Sequence, residues 1–441
     1  MHSSSDRHPP QATVEHHSAA TFAVPCGRLA LAITALLVLA TTHARAASAE
    51  TTCLVGATVH PVVDEPFEGT VCFRDAHITL VARGTDTPDG ATHVDARGHV
   101  VTPGFIEVQS RLGLVEVNAD TFSRDTDAGG DDPIRATFHA RDSFNPASSL
   151  IPITRDGGIT SATALPDGGL VSGRGALFDL IDGTVDEMLV PNTEIFVMQL
   201  GYRGGNAAST SRGGALGMIR ELLSDTREYA DRRQAYDDGA MRDLSSTRGN
   251  LEATVAVLDR TATVFVQVHR ASDILLTLEL AESFGLDLVL VGATEGWRVA
   301  SEIAAAGVPV IVHPLVNLPP TLEAVHADER NAAWLAEAGA HVVLTSQDTH
   351  NARNLRTIAG NAVRAGLPWD AALRSITWDA ARALGIGDTH GALALGHVAN
   401  IVVWSGDPLE FSSQALRVYV RGREVTTRHR QDDLLDRYRV R

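Results

Sequence analysis

The stretch Val101-Thr102-Pro103-Gly104-Phe105-Ile106-Glu107-Val108-Gln109-Ser110-Arg111-Leu112-Gly113 decides how the chain is read. A β-branched, apolar run follows a Pro-Gly pair and ends in polar side chains. That is the pattern of a buried strand whose last residues open into a cavity.

Downstream, strand and helix patterns alternate at short spacing. Strands are predicted over residues 264–268, 286–291, 308–312 and 341–345, each followed by a helix: residues 274–284, 296–306, 331–338 and 355–365. Upstream, residues 101–108, 158–165, 176–181 and 194–200 supply four more strands. Eight strand units argue for a (β/α)8 TIM barrel, an α/β fold whose site lies at the C-terminal ends of its strands. A glycine-rich stretch, residues 167–175, reads as a loop; with no Lys it makes a poor phosphate cradle. Residues 213–236 and 251–258 read as helices, and residues 371–384 as one further helix. Residues 52–62, 69–73, 77–82, 93–95 and 100–101 form a small β-domain, and residues 391–404 and 418–425 return to β pattern.

The opening strand resembles the first barrel strand of the amidohydrolase superfamily, Pro-Gly-Phe-Ile-Asp-x-His-x-His. Residues 391–403, Gly-Ala-Leu-Ala-Leu-Gly-His-Val-Ala-Asn-Ile-Val-Val, resemble that family's ending. Among its members, the chain is most similar to exported imidazolonepropionase- and prolidase-related ones. The resemblance implies a barrel over residues 101–385 beside a small composite β-sandwich built from residues 47–100 and 386–428, with residues 429–441 as a tail.

It also implies ligand positions for divalent metal at fixed strand ends. On strand one, Gln109 and Arg111 stand where two histidines are expected; an amide is a poor transition-metal ligand and a guanidinium is none. Strand four ends near Gln199 with neither Lys nor Glu at its tip. Strand five ends at His269, matching the family's ligand. Strand six offers no His, but Glu295 follows it, either as a ligand or as the cap of the helix over residues 296–306. His313 ends strand seven. Asp348 matches the strand-eight aspartate that takes the proton from the attacking water, with helix capping as its other role.

The expected site is therefore His269 and Asp348 as catalytic groups, with Arg111, Gln109 and His313 binding substrate. At most one divalent metal, zinc, would be held by His269, Asp348 and Glu295. Arg111 is open to two readings: a fixed positive charge in place of metal, or a partner for Glu107 or Glu116. The activity implied is hydrolysis of a carbon–nitrogen bond in a small amide or peptide-like molecule. The alternative is an inactive binding or partner subunit.

The other features narrow the setting. The chain has 441 residues, 44% hydrophobic and 21% charged, with a formal charge of -17. This disfavours nucleic acid and anionic membrane as partners. Every basic side chain is arginine, so no carbamylated lysine can bridge two metals and no Schiff base can form. No Gly-x-Ser-x-Gly, His-Glu-x-x-His or Cys-x-x-Cys motif occurs. Arg28, the apolar run over residues 29–40 and Ala44-Arg45-Ala46 read as an export signal ending near residue 46, which predicts a periplasmic protein. The run is shorter than the roughly 20 residues that span a bilayer. Cys53 and Cys72 then remain, as a disulfide or as two buried thiols. Oligomeric state is left open.

Overall fold

The computed structural model describes residues 50–319 and 321–439. The export signal lies outside the described residues. No helix among the described residues is long and apolar enough to cross a membrane.

In chain order the strands are β1 Thr51–Val59, β2 Phe67–Arg74, β3 His77–Arg83, β4 Thr92–Asp95 and β5 Val100–Pro103. Next come β6 Phe105–Glu107, β7 Ile159–Ala164, β8 Val171–Asp179 and β9 Ile195–Gln199. Then follow β10 Thr263–Val268, β11 Leu288–Gly292, β12 Pro309–Val312 and β13 His341–Leu344. Last are β14 Ile401–Trp404, β15 Ala415–Val420 and β16 Arg423–Glu424.

The terminal segments share one sheet in the order β16-β15-β14-β5-β1-β2-β3, with β4 also on β1. β14 runs antiparallel to β5, and the Trp404 indole donates to Thr102 Oγ1 at 2.9 Å. The expected sandwich is thus one continuous hydrogen-bonded sheet, with its own core of Leu54, Val71, Phe73, Ile401 and Tyr419. Cys53 and Cys72 face each other across β1 and β2 and are joined as a disulfide.

The second sheet takes the order β6 through β13 and gives a TIM-barrel-like α/β fold. β9 to β13 are parallel, as the alternating pattern predicted. Successive residues split between two cores. Val264, Val266, Leu288, Leu290 and Val310 pack outward with the helices, while Phe265, Val289, Val291, Ile311 and Val343 fill the interior. This period-two division is why the strands read as unbroken apolar runs.

One strand departs from the all-parallel expectation: β8 is antiparallel to both β7 and β9. Only residues 165–170 separate β7 from β8, and a parallel crossover needs about a dozen. The stretch read as a glycine-rich loop is partly this strand. Gly173 adopts φ 124°, and a Cβ there would come 2.7 Å from the Phe138 carbonyl oxygen, so the strand passes where only glycine fits.

No backbone ladder joins β13 to β6 among the described residues. The fully buried Glu107 carboxylate spans that seam, accepting from Thr345 Oγ1, the Ser346 amide at 2.8 Å and the Gln109 amide at 2.9 Å. The single helix expected over residues 371–384 is two, Trp369–Ser375 and Trp378–Ala383. The Ser375 and Thr377 hydroxyls turn back onto the Ala372 and Leu373 carbonyls, competing with helix continuation at the break.

Candidate active site

A cavity of about 350 Å³ opens at the C-terminal ends of the barrel strands. Strand parity fills it: Val197 and Gln199 from β9, Phe265 and Gln267 from β10, and His269 just beyond, all project inward. Gln109 and Arg111 enter after β6, Asp167 after β7, and Gln347 and Thr349 after β13. Arg203 comes from the helix Gly201–Ala207 that follows β9.

Asp167 is the hub. It accepts from Arg111 Nη1 at 2.9 Å, Arg203 Nη2 at 3.2 Å, Gln199 Nε2 at 3.1 Å and the Gly168 amide at 2.9 Å. Burial pushes its pKa up, but Arg203, the Gly168 amide, Arg111 and Gln199 together hold it below the ordinary value. Arg203 also donates to Gln267 Oε1 at 3.3 Å. Arg111 therefore pairs with Asp167, not with Glu107 or Glu116 as weighed from the sequence. Glu116 instead accepts from Asn145 and Ser149.

His269 lies deeper. Its Nδ1 is 2.8 Å from Thr294 Oγ1. Its ring packs on Gly292, whose φ is 90° and whose added Cβ would meet His269 Cε1 at 2.6 Å. Burial, then the charge of Arg203, lowers its pKa to about 4, so the imidazole is neutral near pH 7. Gln109 Oε1 is buried without a hydrogen-bond partner.

The structure brings Gln109, Arg111 and His269 to one cavity. The other expected residues are placed elsewhere. Asp348 accepts from the His350 amide at 2.8 Å, the Asn351 amide at 3.1 Å and Asn351 Nδ2 at 3.0 Å, so it closes its own loop and does not cap the helix that follows. Burial raises its pKa, but these donors outweigh that and hold it low. Glu295 stands at the N-cap position of the helix that follows but does not cap it with its side chain: it accepts from the Ala271 amide at 3.2 Å and the His326 amide at 3.3 Å. His313 Nδ1 is 3.0 Å from the Thr345 carbonyl oxygen. Neither Asp348, Glu295 nor His313 lines the cavity. Asp167 and Arg203 went unread in the sequence. Their signal was position, since both lie within a few residues of a strand tip.

A sequence model of the amidohydrolase family matches residues 224–427. The structure superposes on an amidohydrolase from Thermotoga maritima MSB8 with a TM-score of 0.78 at 28% identity, covering 86% of this chain and all of that one. In sequence and in structure the chain is thus similar to amidohydrolases. It is also 23% identical over 376 residues to amidohydrolase tasK of Hapsidospora irregularis, covering 77% of this chain; it spans only 37% of that relative's length. A zinc-bound adenosine deaminase from Xanthomonas campestris shares the fold, with a TM-score of 0.52 at 16% identity over 88% of this chain and 97% of that one.

The side chains lining the cavity make a poor donor set for a divalent ion. Among the described residues no three His, Cys, Asp or Glu side chains converge to hold one. His269 is the cavity's imidazole, the oxygens of Asp348 are engaged by its own loop, and Arg111 and Arg203 place positive charge at the strand tips. A cation there would be opposed by both guanidinium groups.

Proposed function

We propose that the chain hydrolyses a carbon–nitrogen bond in a small amide or peptide-like molecule, in the strand-end cavity and without the one zinc expected from the family resemblance. The family match supports the reaction class, and the position of the cavity supports the place. The observation that carries the reading is a neutral imidazole beside two guanidinium groups. A water adds to the acyl carbon as its proton passes to His269 Nε2, the ring nitrogen not engaged by Thr294. Arg111 and Arg203 hold and orient the substrate beside it. The C–N bond then breaks as His269 returns the proton to the departing nitrogen. Asp348 acts by shaping the loop that presents Gln347 and Thr349. Export to the periplasm is part of the proposal, supported by the leader pattern before residue 47 and the paired Cys53 and Cys72.

The second reading is an inactive binding or partner subunit. It is favoured by the engagement of Asp348 in its own loop, which leaves His269 and the ion-paired Asp167 as the weak bases in the cavity. Turnover on a panel of N-acyl amino acids, cyclic amides and dipeptides separates the two. The hydrolase reading expects activity that His269→Ala abolishes and Asp348→Asn retains in part. Binding of panel members without any turnover establishes the second reading instead.

A further inference from the structure

We propose that the cavity is built for a monoanionic ligand, a small molecule bearing one carboxylate beside an amide, with the carboxylate seated on Arg111 and Arg203. The proposal rests on this cavity being the substrate site and names the class of molecule it takes.

The charge count comes first. Among the described residues the ionised side chains lining the cavity are Arg111, Arg203 and Asp167. These three charges sum to +1, in a chain whose formal charge is -17. A single excess positive charge at the mouth of a concave site is complemented by one negative charge. Asp167 already occupies one side of each guanidinium, and both side chains remain about half exposed, 44% and 50%, so donors are left for an incoming carboxylate.

The rest of the lining speaks to the neutral part of the ligand. Four glutamines, Gln109, Gln199, Gln267 and Gln347, ring the cavity. Gln199 is committed to Asp167 and Ser172, and Gln267 accepts from Arg203. Gln109 is different: its buried Oε1 has no partner, an acceptor whose desolvation a ligand N–H would repay. An amide N–H near the carboxylate meets that requirement.

The test uses matched pairs: N-acetyl amino acids and their C-terminal carboxamides, titrated calorimetrically into the full chain at millimolar concentration, with turnover followed on the same pairs. The carboxylates are expected to bind about tenfold or more tighter than their carboxamides. Arg111→Met and Arg203→Met should each remove most of that preference. Asp167→Asn should move it the other way, tightening the anion about tenfold relative to its carboxamide, because it removes an internal competitor; a role confined to folding would not produce that split. Equal affinity within pairs, no binding by any carboxylate, or weaker anion binding in Asp167→Asn overturns the proposal. Selective anion binding without turnover leaves it standing and removes the hydrolase reading. Turnover of neutral amides without carboxylate preference does the reverse.

Discussion

Arg111 Nη1 and Asp167 Oδ2 lie 2.9 Å apart at the mouth of the barrel, an ion pair between the tips of adjacent strands. An arginine stands where the family resemblance expects a metal-binding histidine, and its counter-ion comes from the turn after the next strand. Arg203, from beyond β9, reaches the other oxygen of the same carboxylate. Three elements distant in sequence are thus tied by charge at the place where the fold positions chemistry.

His269 sets the pH dependence. Its pKa is lowered to about 4 by burial and Arg203, so it is a neutral proton acceptor throughout the physiological range. Turnover is expected to be flat from about pH 6 to 8 and to fall as pH drops through about 4, where the ring protonates. An inflection near 6.5, the ordinary imidazole value, read from kcat/KM against pH, would show that burial and Arg203 do not hold the ring neutral.

Glu107 holds the barrel seam. In Glu107→Ala the Gln109 and Ser346 amides and the Thr345 hydroxyl lose their shared acceptor in a fully buried place. The expected loss is about 3 kcal/mol or more of stability, measured by urea unfolding. A loss below about 1 kcal/mol would mean that the seam is held by packing alone.

Asp179 links the barrel to the terminal sheet. Buried on β8, it accepts from Arg421 Nε at 2.6 Å and Asn400 Nδ2 at 2.9 Å, with His390 Nε2 at 3.5 Å. Burial raises its pKa, but His390, Arg421 and Ser161 together bring it down to about 2 from an ordinary 3.8. A depressed carboxylate stabilises the fold above its unfolded pKa, and that contribution, about 2 kcal/mol, fades as pH falls from about 4 through 2. Asp179→Asn should flatten the acid limb of the stability curve as well as lowering the plateau.

The parts of the molecule governed by local pattern were legible in the sequence. β10 to β13 stood out because strands buried on both faces are apolar throughout, and His269 fell at a strand tip by register alone. The site's charges were not legible, because they depend on partners far apart in the chain. Arg111 and Asp167 are 56 residues apart, and nothing near either announces the other. Glu295 was open to two readings, a metal ligand or the cap of the helix beside it; its carboxylate accepts from the Ala271 amide at the start of the preceding helix, 24 residues back, because the strand-end loops converge there. The glycines of residues 167–175 read as a loop because close backbone approach, which Gly173 serves, carries no signature of its own.

Gly292 makes room for His269. Gly292→Ala would force a Cβ to 2.6 Å from the imidazole at a φ of 90° that L residues avoid. The expected cost is about 1–3 kcal/mol of stability, together with loss of whatever activity His269 supports. Full activity and an unchanged unfolding midpoint would mean that the ring has room to move aside.

The central claim is that a pair of arginines and an aspartate have taken the place of a metal centre. Elemental analysis of the purified chain after equilibration with zinc tests it most directly. The account predicts zinc well below one per chain, and anion affinity that a chelator does not change. One tightly held zinc per chain, lost in His269→Ala, would contradict it.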